Sequence, residues 1–234
     1  MNKEQISYAI YKGKRIGQIK CQDLETMIYF LNVEDLIIDK ETLRKTIPTD
    51  RYEKMIKYRR QEDKQLLAGN ELLFEFGMKR IKPELKYEDI QREVDEAGKP
   101  YIKNIDDVFF NMSHSGTYAV CAFSNKRIGV DVECVEQLDL SIAESFFREG
   151  EYKDIISMET KEKQFSRFYD YWVLKESFMK SIGLGLSIEL NSFWFDKISS
   201  RLLKVVQEID QRNYICRQLY FGNDYKMAIC REAG

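Results

Sequence analysis

Two short segments constrain this chain more than any others: Gly129–Glu133, GVDVE, and Trp172–Lys180, WVLKESFMK. Alternation along a strand puts Asp131 and Glu133 on one face and Val130 and Val132 on the other. The second segment reads as a helix that adds a third carboxylate, Glu176, and two lysines, Lys175 and Lys180. Three acids alone would repel a phosphorylated ligand, and two lysines alone would bind one without chemistry. The combination suits a hard cation bridging carboxylates to phosphate oxygens.

Each feature also has a plainer explanation. A half-buried strand often turns acids to solvent. Glu176 and Lys180 have the spacing of an ordinary helical ion pair contributing about 0.3 kcal/mol. Against that, Glu176 lies beside the apolar stripe of Trp172 and Met179, where a charged group needs a partner. His114, in NMSHSG, is the one histidine of the chain. A lone histidine is commonly a structural hydrogen-bonder, but small neighbours at the end of an apolar strand, Ser113, Ser115 and Gly116, offer donors and a backbone that a phosphate could approach. Lys99, before Pro100, reads by itself as an exposed turn.

Helical spacing recurs over Arg51–Gly77, with Pro48, Thr49 and Asp50 available as a start, and again from Phe165 to Gly183. In the first of these, Arg51, Lys54 and Lys57 are three apart and could line one edge facing an anionic ligand. Val108–Glu133 reads as successive strands, with a hairpin at Asn125 and Lys126 between TYAVCAFS and RIGVDVE. The tail from Leu202 to Cys230 predicts two more strands. Residues 1–26 read either as an extra hairpin turning at Gly13 or as sequence preceding a start at Met27.

Composition excludes several classes. With 234 residues, 44% of them hydrophobic, the chain can bury a continuous core. A net charge of -2 gives no basic surplus for general nucleic-acid or anionic-membrane binding, so phosphate affinity must be local. Five cysteines without a CxxC pair fit a reducing cytoplasm, and a single histidine argues against zinc. The longest run free of acids, lysine and arginine, Val108–Asn125, is too polar to span a membrane.

Taken in order, GKP at 98–100, FNMSHSG at 110–116, GVDVE at 129–133, FF with a following Glu at 146–151, WVLKESFMK at 172–180 and GLGL at 183–186 resemble the Sfp-type 4'-phosphopantetheinyl transferases. The helix beginning RYEKMIKYRRQEDKQLLAGNELL also looks like that family's N-terminal helix, so the resemblance runs from about Met27 to the C-terminus. It implies an α+β fold: a pseudo-twofold arrangement of two similar α/β halves, 27–126 and 127–234, the latter carrying the metal-site motifs, with 1–26 as an extension and the site in the cleft between the halves.

The resemblance further implies that Asp131, Glu133 and Glu176 bind Mg2+, with Mn2+ as the alternative. Arg51, Lys54, Lys99, Pro100, Ser113, His114, Lys175 and Lys180 would hold coenzyme A, with Glu176, Lys175 and His114 in the chemistry and Glu176 as general base. The implied reaction moves 4'-phosphopantetheine onto a serine of an apo acyl or peptidyl carrier protein and releases 3',5'-ADP, in a cytoplasmic monomer. Phe146, Phe147 and Arg148 are candidates for receiving the carrier. The rival readings are a Mg2+-dependent phosphohydrolase and a non-catalytic coenzyme A-binding module.

Overall fold

The computed structural model describes residues 6–36, 49–220 and 224–234. Contacts divide the described residues into two units: those from Ile6 to Val94 with Pro100–Asn125 form one, and Asp95–Lys99 with those from Lys126 to Gly234 form the other. Both are built on the same α+β plan, an antiparallel five-stranded sheet with one long helix against it.

The first unit begins with the hairpin of β1 (Ile6–Tyr11) and β2 (Lys14–Cys21). Lys12 and Gly13 both take positive φ, 47° and 75°, as a tight two-residue hairpin turn requires. The extra-hairpin reading is thus the conformation of residues 6–21, and β2 continues the sheet by pairing with β3 (Thr26–Asn32). After α1 (Thr49–Ile56) and α2 (Gln61–Ile81) come the short pair β4 (Arg92–Val94) and β5 (Pro100–Ile102), then β6 (Phe109–Ser115) and β7 (Tyr118–Ser124). The sheet order is β1-β2-β3-β7-β6. Leu73, Phe74 and Phe76 of α2 pack with Tyr29, Phe110 and Phe123 into an aromatic core.

The single helix expected over Arg51–Gly77 is two helices. Tyr58 N–H bonds back to Met55 O, and Arg60 is extended at the N-cap of α2. The four residues between them, Lys57 to Arg60, carry three cations and no apolar anchor except an exposed tyrosine, while Glu62 and Asp63 complement the new helix start. Lys57 therefore does not continue the edge begun by Arg51. Pro48 and the Lys54 side chain lie outside the described residues.

The second unit contains β8 (Ile128–Cys134), α3 (Ser141–Phe146), α4 (Glu149–Ile156), α5 (Lys161–Ile182), β9 (Trp194–Lys197), β10 (Leu202–Val206), β11 (Tyr214–Tyr220) and β12 (Tyr225–Glu232). Its sheet order is β8-β12-β11-β10-β9. The hairpin expected at Asn125 and Lys126 does not form: β7 pairs with β3 and β6, and β8 with β12. Asn-Lys lacks the glycine that a two-residue hairpin turn favours, and the chain here passes from one unit to the other. The tail holds three strands from Leu202 onward instead of two, with β9 before them. Among the described residues no helix is long and apolar enough to cross a membrane.

Candidate active site

α5 starts on a capping threonine, with Thr160 accepting from Lys163 N–H, and stops at Gly183, whose φ of 83° is the left-handed conformation of a helix C-cap. Its last two turns cross β8 at Gly129. A Cβ placed there would lie 2.0 Å from Ser177 O and 2.4 Å from Ser181 N, so only glycine allows this approach. Ser177 and Ser181 are fully buried on the contacting face of the helix. Alternation puts Asp131 and Glu133 on the same face of β8 as Gly129. The acid face of the strand is thus turned toward the helix, and Asp131 is only 1% exposed.

Lys180 meets it there, with Nζ 2.6 Å from Asp131 Oδ1. Glu176, one helical turn earlier and half-buried, has its carboxyl pushed above the ordinary range, first by burial and second by the Asp131 charge; Lys180 opposes the shift. Two carboxylates therefore feel each other across this crossing, with one lysine between them electrostatically. Glu133 is half-buried two residues along the strand. Among the described residues no three acid, histidine or cysteine side chains are gathered closely enough to hold a metal ion. The nearby acids offer carboxylate oxygens alone, which suits a hard divalent cation, and such an ion would offset both the burial and the Asp131 charge that raise the Glu176 pKa.

Lys175 is elsewhere, which corrects its expected place beside a phosphate. Its ammonium is fully buried and donates to Glu151 Oε2 at 2.9 Å, Leu190 O at 2.7 Å and Phe193 O at 3.2 Å. An ammonium has three donors, and all are used. Helical geometry explains the error: successive side chains are roughly 100° apart, so Lys175 and Glu176 cannot face the same surface. Phe147 is likewise core, stacked on Phe168 at 5.3 Å, and the Arg148 guanidinium lies over the Trp194 ring at 3.9 Å. Of the expected carrier contacts, Phe146 is exposed.

Lys99 sits at the end of a turn ordered by Asp95, whose Oδ1 accepts from the N–H groups of Ala97 and Lys99. Its Nζ donates to Ser181 O at 2.8 Å and Ile128 O at 3.2 Å, joining the end of α5 to the start of β8. A Cβ on Gly183 would meet the Lys99 Cδ at 3.2 Å, so the same glycine ends the helix and makes room for the lysine stem. Burial, with Arg127 nearby, lowers the Lys99 pKa to about 8.

The remaining expected ligands belong to the other unit. Pro100 opens β5 opposite Val94. Ser113 and His114 are adjacent in β6 and so face opposite sides of the sheet: Ser113 is buried and His114 exposed. The His114 ring Nδ1 is 3.4 Å from Asn70 Nδ2 on α2. Arg51 is half-buried on α1. Sequence reasoning did not find Asn70, Asp95 or the Glu151 partner of Lys175; the last was visible as the acid after the FF pair, without a role.

Comparison with known proteins places both halves of the chain in one family. Residues 127–230 match the 4'-phosphopantetheinyl transferase superfamily, and residues 39–126 match the family described as 4'-phosphopantetheinyl transferase, N-terminal. The 4'-phosphopantetheinyl transferase Sfp of Bacillus subtilis (strain 168) is 34% identical over 197 residues, covering 82% of this chain and 85% of the relative. The ffp enzyme of Bacillus subtilis, with the same description, is 34% identical over 211 residues, 87% and 91% of the two chains. The gsp enzyme of Aneurinibacillus migulanus is 44% identical over 110 residues, which is 47% of this chain and 45% of that one. The chain belongs to the Sfp-type 4'-phosphopantetheinyl transferases.

Proposed function

We propose that this enzyme transfers the 4'-phosphopantetheine group of coenzyme A to a serine hydroxyl of an apo acyl or peptidyl carrier protein, with Mg2+ and with release of 3',5'-ADP. The observation that carries the reading is the meeting of Asp131, Lys180 and Glu176 where α5 crosses β8 at Gly129. It joins acids and a cation in one place, as a diphosphate site needs.

The serine oxygen forms a bond to the β-phosphorus as the bond from that phosphorus to the bridging oxygen breaks, and the departing 3',5'-ADP carries the electron pair. Glu176 takes the serine proton. Lys180 places positive charge beside the transferring phosphoryl oxygens. Asp131 orients Lys180 and, with Glu133 and Glu176, would supply the oxygen donors for Mg2+. When bound, that ion (or Mn2+) would neutralise charge on the diphosphate.

Lys99, Pro100, Ser113, His114, Arg51 and Lys54 hold coenzyme A in this reading, and Asn70 orients the His114 ring. Both matched family segments lie in one chain, which supports a monomer carrying its whole site. Five cysteines without a CxxC pair support a cytoplasmic enzyme in this reading. Quantifying 3',5'-ADP against modified carrier tests the stoichiometry: one ADP per modified serine is expected, and ADP in excess of modified carrier contradicts transfer as the reaction.

A further inference from the structure

The Glu151–Lys175 pair is buried, charged and unused in the reaction above. Its lysine draws together three acceptors from separate segments: Glu151 in the first turn of α4, and Leu190 O and Phe193 O in the chain following α5. The ring centroids of Phe193, Phe147 and Phe195 lie 4.7, 5.4 and 5.7 Å from the ammonium and exclude water from it. Glu151 is held in turn: its Oε2 accepts from Arg148 N–H at 3.0 Å. Its Oε1 is buried with no hydrogen-bond partner.

An unsatisfied oxygen in a buried ion pair argues against stability as the reason for these residue types, since apolar replacements of similar volume are commonly as stable. A lysine with three fixed acceptors does something an apolar residue cannot: it sets the rotation of its helix. Lys175 immediately precedes Glu176, and Lys180 follows on the same two turns of α5. On the other side of the helix, the contact at Gly129 holds the Ser177 and Ser181 face against β8, and Lys175 anchors the side roughly opposite Ser177.

We propose that Glu151–Lys175 is a positioning pair for the transfer reaction. Lys175 locks the rotation of α5 so that Glu176 and Lys180 face Asp131, and it makes no contact with coenzyme A phosphate. The positioning role rests on the transfer reading; the absence of a phosphate contact does not.

The test uses the full chain as wild type, Glu151→Gln, Lys175→Met and the double variant. Unfolding midpoints, calorimetric Kd for coenzyme A with Mg2+, and kcat and KM for carrier modification are measured at a temperature where each is folded. Both single variants should lower kcat by about 10-fold or more, as expected for a small misplacement of reacting groups. Kd and KM for coenzyme A should stay within about twofold of wild type. The double variant should lose no more activity than the worse single one. Where a single variant fails to fold, the double variant, which leaves no lone buried charge, gives the comparison.

A Kd raised about 10-fold by Lys175→Met, with Glu151→Gln close to wild type, would establish a phosphate contact and overturn the proposal. Folded variants with unchanged kcat would reduce the pair to a structural element and also overturn it. Wild-type protein that binds coenzyme A and modifies no carrier overturns the transfer reading and the positioning role with it; the Kd comparison still decides whether Lys175 touches the ligand.

Discussion

Lys180 Nζ lies 2.6 Å from Asp131 Oδ1, so a charge-assisted hydrogen bond ties the last turns of α5 to the centre of β8. The carboxylate is 1% exposed and the lysine side chain 29%. One end of the pair is in the protein interior and the other can reach a ligand. Lys180→Met removes the cation beside a buried carboxylate, and we expect a loss of about 2 kcal/mol, less than for a fully buried pair because the lysine is partly solvated. Urea unfolding at neutral pH measures it, and a loss under about 0.5 kcal/mol would show that the pair is no stronger than a surface one.

Gly129→Ala should be more damaging than its one methyl group suggests. The new Cβ would stand 2.0 Å from Ser177 O, a backbone atom of a packed helix that cannot swing aside. We expect a cost of about 3 kcal/mol, at the upper end for overpacking, together with loss of transfer as α5 moves from β8. A Gly129→Ala protein with wild-type unfolding midpoint and activity would mean that the helix has slack.

The acid strand, the helix that faces it and its terminating glycine were legible in the sequence because each is a local pattern: alternation in GVDVE, helical spacing from Phe165, and a glycine stop. Lys175 was misplaced because motif spacing shows that two residues are near each other along the chain and not that their side chains diverge around a helix. Its true partner, Glu151, is 24 positions away, and no local rule joins them. The false hairpin at Asn125 and Lys126 has the same origin. Two strand-like runs with a short gap look paired until β3, β6 and β12 compete for them. The turn at Lys99 hid its order in Asp95, a residue with no motif of its own.

Lys99 predicts a pH dependence. Its folded pKa of about 8 lies below the ordinary lysine value, so between the two the unfolded chain binds the extra proton and stability rises with pH. Below about pH 8 both states carry the charge and the folded protein bears the full burial penalty, about 1 to 2 kcal/mol once partial exposure is allowed for. Wild type should therefore gain stability relative to Lys99→Met between pH 7.5 and 10, and its affinity for coenzyme A should weaken as the charge is lost above about pH 8. Parallel pH profiles for the two proteins would contradict the shifted lysine.

In the other unit, Arg92 Nη1 donates to Glu71 Oε1 at 3.2 Å, its guanidinium lies over the Phe74 ring at 4.3 Å, and the Tyr87 hydroxyl donates to Glu71 Oε2 at 3.1 Å. This network fastens β4, and through it the strand that begins at Pro100, to α2. Arg92→Met should cost about 3 to 5 kcal/mol by leaving Glu71 buried without its cation, while Arg92→Met combined with Glu71→Gln should recover part of it. Unfolding midpoints of the single and double variants check this; equal losses would show that the charge of Glu71 is not what makes the single change costly.

In the proposed transfer to carrier protein, Glu176, set against Asp131 and Lys180, takes the serine proton. Intact-mass spectrometry of an apo acyl or peptidyl carrier protein, incubated with coenzyme A, Mg2+ and either wild type or Glu176→Gln, tests it most directly. Wild type should add one phosphopantetheine, abolished by chelator and by loss of the carrier serine, while Glu176→Gln adds none and still binds coenzyme A. Coenzyme A cleaved by wild type with the carrier unmodified, or full modification by Glu176→Gln, would contradict the account.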